Sequence, residues 1–123
     1  MKIFIAMFAL AVAGAAAYAA DAAKPISTAA AHAGMAAGAS SAPLVQAHLQ
    51  HVINCLEGPS GADFNAGPGN PCQDLGEGAI PASAPDKREA LKAVVAKAKL
   101  AMKETDIVKA KVMAAEIQAD LAK

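Results

Sequence analysis

Three histidines and one methionine are the side chains of this sequence best suited to bind a metal ion. His48 and His51 are three positions apart, and His32 and Met35 have the same spacing earlier in the chain. Side chains three or four positions apart lie on one face of a helix, so the members of each pair can approach the same ion. Imidazole nitrogen suits zinc, nickel, copper and haem iron, and a thioether added to imidazoles favours copper.

The two cysteines, Cys55 and Cys72, indicate a different chemistry. An even number of cysteines in an exported chain is typical of disulfides, and only one pairing is possible here. A reactive or metal-binding pair of thiolates is the alternative, but the C-x-x-C spacing typical of such pairs is absent. The missing C-x-x-C-H motif also excludes a c-type haem attached to the chain. We therefore predict a structural disulfide between the two cysteines.

The first residues indicate export. Lys2 is followed by an apolar run, residues 3–12, and then by small residues that end in Ala17-Tyr18-Ala19. This order of charged, apolar and small residues is typical of a secretory signal, so we predict a signal peptide at residues 1–19 and a periplasmic or secreted product. A membrane anchor is the alternative, but the run is shorter than the ~20 apolar residues of a spanning helix. We expect no membrane anchor after cleavage.

The composition of the remaining chain, residues 20–123, argues against several classes of function. The full chain has 11 basic and 11 acidic residues, and removal of Lys2 with the signal leaves it very slightly acidic, so no excess of positive charge favours nucleic acid. Phe64 is the only aromatic residue after the signal, which leaves no stacking platform for bases or sugars. No nucleophile with a neighbouring base and no pair of carboxylates on one helix face is recognisable. We predict a single domain that acts as a binding protein and not as an enzyme.

Hydrophobic periodicity predicts four helices, of which the first two carry the histidines. The first covers about residues 26–38 and is rich in alanine. The second follows a Ser40-Ser41 cap and ends at Leu56, where glycine and proline begin. The predicted apolar stripe of the second helix consists of Val45, Leu49, Val52, Ile53 and Leu56.

The last two helices form the second half of the predicted fold. The third opens at Pro85, where Asp86 and Glu89 can form a capping box. The fourth begins at Ile107 after a polar break at residues 104–106, and a break this short predicts an antiparallel hairpin. The predicted core faces are Leu91, Val94, Val95, Ala98 and Met102 on the third helix, and Ile107, Ala110, Ala114, Ile117 and Leu121 on the fourth.

These elements predict an all-α fold, an antiparallel four-helix bundle made of two helical hairpins. A loop rich in glycine and proline, residues 58–83, joins the hairpins, and we expect no regular structure in it. The disulfide would pin the first half of this loop to the second helix. A loop of this length in a compact domain is usually either functional or disordered.

The first hairpin decides whether the histidines meet. If its arms are antiparallel and turn near Ser40, His32 and Met35 lie level with His51 and His48, since each arm rises ~1.5 Å per residue. We predict that these four side chains form a metal site, with copper favoured and another divalent transition metal or haem as alternatives. In the opposing interpretation the histidines are solvated or fill gaps between helices. The protein would then be a structural or interaction module whose Gly/Pro loop docks a partner protein, or a homo-oligomer.

One block of the sequence resembles a known type of protein. It consists of His48-Leu49-x-His51-x-x-Asn54-Cys55-Leu56-x-Gly58-Pro59, then Asn70-Pro71-Cys72, then Gly76-x-Gly78-Ala79-Ile80-Pro81. The block resembles that of small exported, alanine-rich helical proteins of Gram-negative bacteria, which implies export but no named function. More loosely, the chain is similar to the periplasmic small metal-binding protein type, which binds copper and other divalent ions. That type is rich in histidine and this chain has three, so the similarity implies ion binding without high-capacity storage.

Overall fold

A computed structural model describes the backbone of residues 14–123 and the side chains of residues 22–123. Within this range the chain forms helices and no strand, which confirms the predicted all-α fold. The helices are α1 (Gly14–Gly38), α2 (Ala42–Glu57), α3 (Ala79–Ala82), α4 (Pro85–Lys103) and α5 (Ile107–Leu121). The predicted signal peptide, residues 1–19, lies largely outside the described residues. None of the helices described is both long enough and apolar enough to cross a membrane.

Helix α1 is longer than predicted, because it begins at Gly14 and not near residue 26. Pro25 lies inside the helix and is fully buried. A proline within a helix removes one hydrogen bond and costs ~3 kcal/mol, so propensity alone does not favour a helix that runs through Pro25. The alanines on its N-terminal side have the highest helix propensity of any residue, so the helix continues through the proline.

The boundaries of α2, α4 and α5 agree with the prediction to within one residue, but the side-chain caps predicted for α2 and α4 do not form. Asp106 caps α5, since its carboxylate accepts hydrogen bonds from the amides of Val108 (2.9 Å) and Lys109 (3.3 Å). The predicted capping box of α4 is wrong: Ala84 is the N-cap residue, and no side chain caps this end. Because the helix already begins at Pro85, Asp86 lies inside its first turn and cannot occupy the cap position.

The core lies between α1, α2, α4 and α5. Helix α1 packs against α2 and α5, α2 packs against α4, and α4 packs against α5, which is compatible with two hairpins side by side. Helix α1 contributes only small side chains to this part of the core. They are Ala29, Ala33 and Ala36, none of which has any exposed surface. The larger buried side chains are those predicted for the other helices, including Val45, Leu49, Val52, Ile53, Leu56, Leu91, Val94, Val95, Ile117 and Leu121.

We predicted no regular structure in residues 58–83, between α2 and α4. This prediction is wrong for one short part of the segment. It contains α3, a single helical turn that begins after Gly78. Ala79 is fully buried, and the hydroxyl of Ser83 donates to the carbonyl of Ala79 at 2.6 Å. Pro81 is tolerated because a residue in the first turn has no intrahelical partner for its N–H. Burial of Ala79 against the core therefore stabilises a helical turn in a segment whose glycines and prolines predicted no regular structure.

The two ends of the loop at residues 58–78 touch each other. Gly58 has φ 74° and Gly78 has φ 115°, values that side chains other than hydrogen rarely tolerate. A Cβ atom on Gly78 would lie 2.6 Å from the carbonyl carbon and oxygen of Glu57, so the two backbone segments pass in direct contact. Both glycines are needed for this crossing.

Gly78→Ala is expected to lower the free energy of unfolding by about 1 to 2 kcal/mol more than Gly76→Ala. Gly76 is a matched control, because its φ of 96° is also positive but a Cβ atom there would meet nothing within 4 Å. The difference isolates the close contact with Glu57 from the backbone strain that both variants share. Urea unfolding followed by circular dichroism measures it, and equal losses in the two variants would contradict the crossing.

Candidate metal centre

His32 on α1 and His48 and His51 on α2 form a single cluster. The Nδ1 atom of His32 lies 3.3 Å from Nδ1 of His48 and 3.2 Å from Nδ1 of His51. The ring centroids are 4.7 to 5.6 Å apart, and one nitrogen from each ring lies within 4.8 Å of the others. The predicted meeting of the three histidines is therefore confirmed. It follows from the three-residue spacing on α2 and from a turn short enough to bring α1 alongside.

The nitrogen spacing matches that of ligands on one ion. With metal–nitrogen bonds of 2.0 to 2.1 Å and tetrahedral angles, two ligating nitrogens lie about 3.3 to 3.4 Å apart. The Nδ1 atom of His32 lies 3.3 Å from that of His48 and 3.2 Å from that of His51. Two of the three nitrogen pairs thus already have the separation that a zinc-sized or copper-sized ion requires.

His51 is oriented by the loop at residues 58–78. Its Nε2 atom lies 2.8 Å from the carbonyl oxygen of Pro68. A carbonyl oxygen only accepts hydrogen bonds, so Nε2 carries the hydrogen atom. In the neutral ring the Nδ1 atom of His51 then has a free lone pair, and this lone pair faces His32. Hydrogen bonding of the second ring nitrogen to a carbonyl is the arrangement found around ligating histidines.

Three facing nitrogens require a hydrogen atom or a cation between them. In the metal-free cluster, one N–H on Nδ1 of His32 can be shared between the Nδ1 atoms of His48 and His51. An ion can take the place of this hydrogen if the His32 proton moves to its Nε2 atom. The exchange needs no net change in charge on the ring, so the cluster is suited to a cation.

The protonation of the cluster also favours ligation. Burial lowers the pKa of His32, and the nearby His51 and His48 lower it further. Burial also lowers the pKa of His48, with a smaller contribution from His51. Both rings are therefore neutral at pH 7, the form that binds metals.

Asn54 and Gln50 attach the loop to α2. Asn54 is fully buried, and its Nδ2 donates to the carbonyls of Asn65 and Gly69, both at 2.8 Å. Its Oδ1 accepts from the Asn65 amide at 3.0 Å and from Nε2 of Gln50 at 2.9 Å. Nε2 of Gln50 also donates to the Asp63 carbonyl at 2.9 Å. The Asn54 amide thus uses its full hydrogen-bonding capacity inside the fold.

The disulfide provides a covalent attachment on the same side of α2. Cys55 and Cys72 are bonded, as predicted, with a Cα–Cα distance of 5.1 Å. Cys55 is fully buried and Cys72 is 5% exposed. His51, Asn54 and Cys55 therefore follow one another along the face of α2 that carries the loop.

Met35 differs from the three histidines. It is 49% exposed on α1, one turn after His32, and no contact of its thioether with the cluster is established. Its role as a ligand remains a prediction. Among the described residues, the cluster consists of histidines alone, with no aspartate, glutamate or cysteine.

The sequence-based reasoning assigned no role to Asn54, Gln50 or the Pro68 carbonyl. Asn54 and Gln50 gave a signal that could have been used, because each is a polar amide next to the apolar stripe of α2. Such residues are buried only when their hydrogen bonds are satisfied, which indicates a segment packed over them. The Pro68 carbonyl gave no signal, because a backbone acceptor is available at every residue.

No family model, curated protein or solved structure matches this chain. The resemblance to small exported helical proteins therefore stays a prediction.

Proposed function

We propose that this protein is an exported binding protein that holds one transition-metal ion with His32, His48 and His51. The observation that carries the proposal is the approach of the Nδ1 atoms, at 3.2 and 3.3 Å from His32. This approach places one nitrogen of each ring within 4.8 Å of the others, where a single ion can reach all three. The orientation of His51 by the Pro68 carbonyl adds to this support.

The ligand set favours copper or zinc over other ions. Imidazoles without carboxylates suit zinc and copper, whereas magnesium, calcium and manganese prefer oxygen ligands. Met35 one turn from His32 favours copper if its thioether joins the site. Haem is less suitable, because the close approach of the Nδ1 atoms, at 3.2 and 3.3 Å from His32, suits a single small ion.

Three protein ligands leave one position on a four-coordinate ion free for water or for a ligand from another molecule. Such an ion can be exchanged more easily than one enclosed by four side chains. Among the residues that the structure describes, the cluster is made of histidines alone and contains no carboxylate that could act as a general base. We therefore propose reversible ion binding in the periplasm, and not catalysis, as the function.

Wild-type protein is expected to bind Zn²⁺ or Cu²⁺ more tightly than about 1 µM, and His48→Ala to bind at least about 100-fold more weakly. Isothermal titration calorimetry at pH 7.5 on metal-free protein measures both. Gln46→Ala is the matched control, because Gln46 is an exposed residue of α2 outside the cluster and should leave the affinity unchanged. Equal binding by wild type and His48→Ala would contradict the site and favour the interaction module.

The same titration separates two further features of the site. Met35→Leu should weaken binding of Cu⁺ but not of Zn²⁺ if the thioether is a ligand. If the thioether is not a ligand, the variant should leave the affinity for both ions unchanged.

Binding of either ion should weaken as the pH falls below ~6.5, because protons then compete for the imidazoles. The lowered pKa of His32 and His48 moves this loss toward lower pH than for an exposed histidine.

A further inference from the structure

We infer that the loop at residues 58–78 raises the affinity of the metal centre by orienting His51. Asn54 is the positioning residue, because it holds the part of the loop that contacts His51. The inference rests on the proposed function and adds to it what determines the affinity of the site. The chain of contacts runs from Asn54 through the Gly69 and Pro68 backbone to the His51 ring.

The first link is the tautomer of His51. A neutral imidazole can carry its hydrogen on either nitrogen, and only one of the two forms leaves Nδ1 free for an ion. The Pro68 carbonyl, 2.8 Å from Nε2, stabilises the form with the hydrogen on Nε2. Without this carbonyl, part of the population would carry the hydrogen on Nδ1 and would have to change tautomer before it could bind.

The second link is the position of the Pro68 carbonyl. Residues 65–68 are exposed, so no apolar burial holds this part of the loop against α2. The backbone on both sides is held by Asn54, whose Nδ2 donates to the carbonyls of Asn65 and Gly69. Gly69 directly follows Pro68 and has φ 107°, a conformation that favours glycine. Asn54 therefore determines where the acceptor for His51 stands.

The third step is reciprocity. An ion on Nδ1 withdraws electrons from the ring and makes Nε2–H a stronger donor to Pro68. If the loop favours ion binding, ion binding must favour the docked loop by the same factor. The amide of Gly69, which donates to the Ala66 carbonyl at 2.9 Å, reports on the docked loop. Its hydrogen exchange should slow when Zn²⁺ is bound.

Asn54→Ala is expected to bind Zn²⁺ about 10- to 100-fold more weakly than wild type, the usual effect of removing a partner behind a ligand. Ser83→Ala is the matched control. It removes a buried hydrogen bond, from the Ser83 hydroxyl to the Ala79 carbonyl, outside residues 58–78 and keeps both Nδ2 bonds of Asn54, so its affinity should stay within about threefold of wild type. An affinity for Asn54→Ala equal to that of wild type would overturn the inference.

A second measurement needs no variant and no metal, and therefore holds even if Asn54→Ala fails to fold. Long-range ¹H–¹⁵N NMR of metal-free wild type should show a single His51 tautomer, with the hydrogen on Nε2. In folded Asn54→Ala the same spectrum should show a mixture, which a general loss of stability would not cause. A wild-type His51 with its hydrogen on Nδ1 overturns the inference. If the tautomer is as expected but wild type binds no metal, the proposed function fails and the contact chain stands.

Discussion

Cys55→Ser is expected to lower the free energy of unfolding by about 2 to 4 kcal/mol. The bond joins residues 17 positions apart, and closing a loop of this size removes about 3 kcal/mol of chain entropy from the unfolded state. The loop has few buried apolar side chains that could compensate. Guanidinium unfolding of wild type and variant, followed by circular dichroism at 222 nm, measures the difference.

Reduced wild type serves as the control for this substitution. It lacks the bond but keeps both sulfur atoms, so it should lose nearly as much stability as Cys55→Ser. Thiol counting on unfolded, unreduced protein should find no free cysteine. A variant as stable as oxidised wild type would mean that Asn54 and Gln50 hold the loop without help from the disulfide.

Ala33→Leu is expected to lower the free energy of unfolding by about 2 to 3 kcal/mol. Ala33 has no exposed surface, and the face of α1 that it shares with Ala29 and Ala36 packs against α2 and α5. A leucine there adds three carbon atoms where helices are in contact through alanine, so the helices must separate or the side chain must leave its preferred rotamer.

Ala31→Leu is the matched control, because Ala31 lies on the same helix but is exposed. Leucine and alanine both favour helix, so this variant should change the stability by less than about 0.5 kcal/mol. If the helices separate in the Ala33 variant, His32 also moves relative to His48. If both variants are equally stable, α1 is not packed through its alanine face.

The sequence allowed the fold to be predicted where hydrophobic side chains repeat with a helical period. Leu49, Val52 and Leu56 on α2 and Ile117 and Leu121 on α5 are buried as their spacing indicated. The start of α1 was wrong because an alanine-rich segment has no contrast between its faces and therefore no period to detect. The single turn of α3 depends on tertiary burial of Ala79, which no local pattern records.

The histidine cluster was predictable for a similar reason. The spacing of His48 and His51 placed them on one helix face, and a short turn near Ser40 placed His32 at the same level. Its surroundings were not predictable, because the orientation of His51 depends on a backbone carbonyl brought back by the chain from residue 68. Long-range contacts of backbone atoms cannot be predicted from the residue types of a single sequence. The one signal here was Asn54, a polar amide beside the apolar stripe of α2.

The contact between Gly58 and Gly78 has a consequence for how this protein can vary. The chain leaves the bundle at Gly58 and returns to it at Gly78, and these two points are in contact. The distance between the two ends of the segment is therefore the same for any length of chain between them. Lengthening such a segment costs little, about 0.6 kcal/mol for a doubling of its length. Insertions or deletions that keep Cys72 and the carbonyls bound by Asn54 can therefore alter the surroundings of His51 without rebuilding the helices. The affinity for an ion can thus change while the disulfide and the hydrogen bonds that stabilise the scaffold are kept.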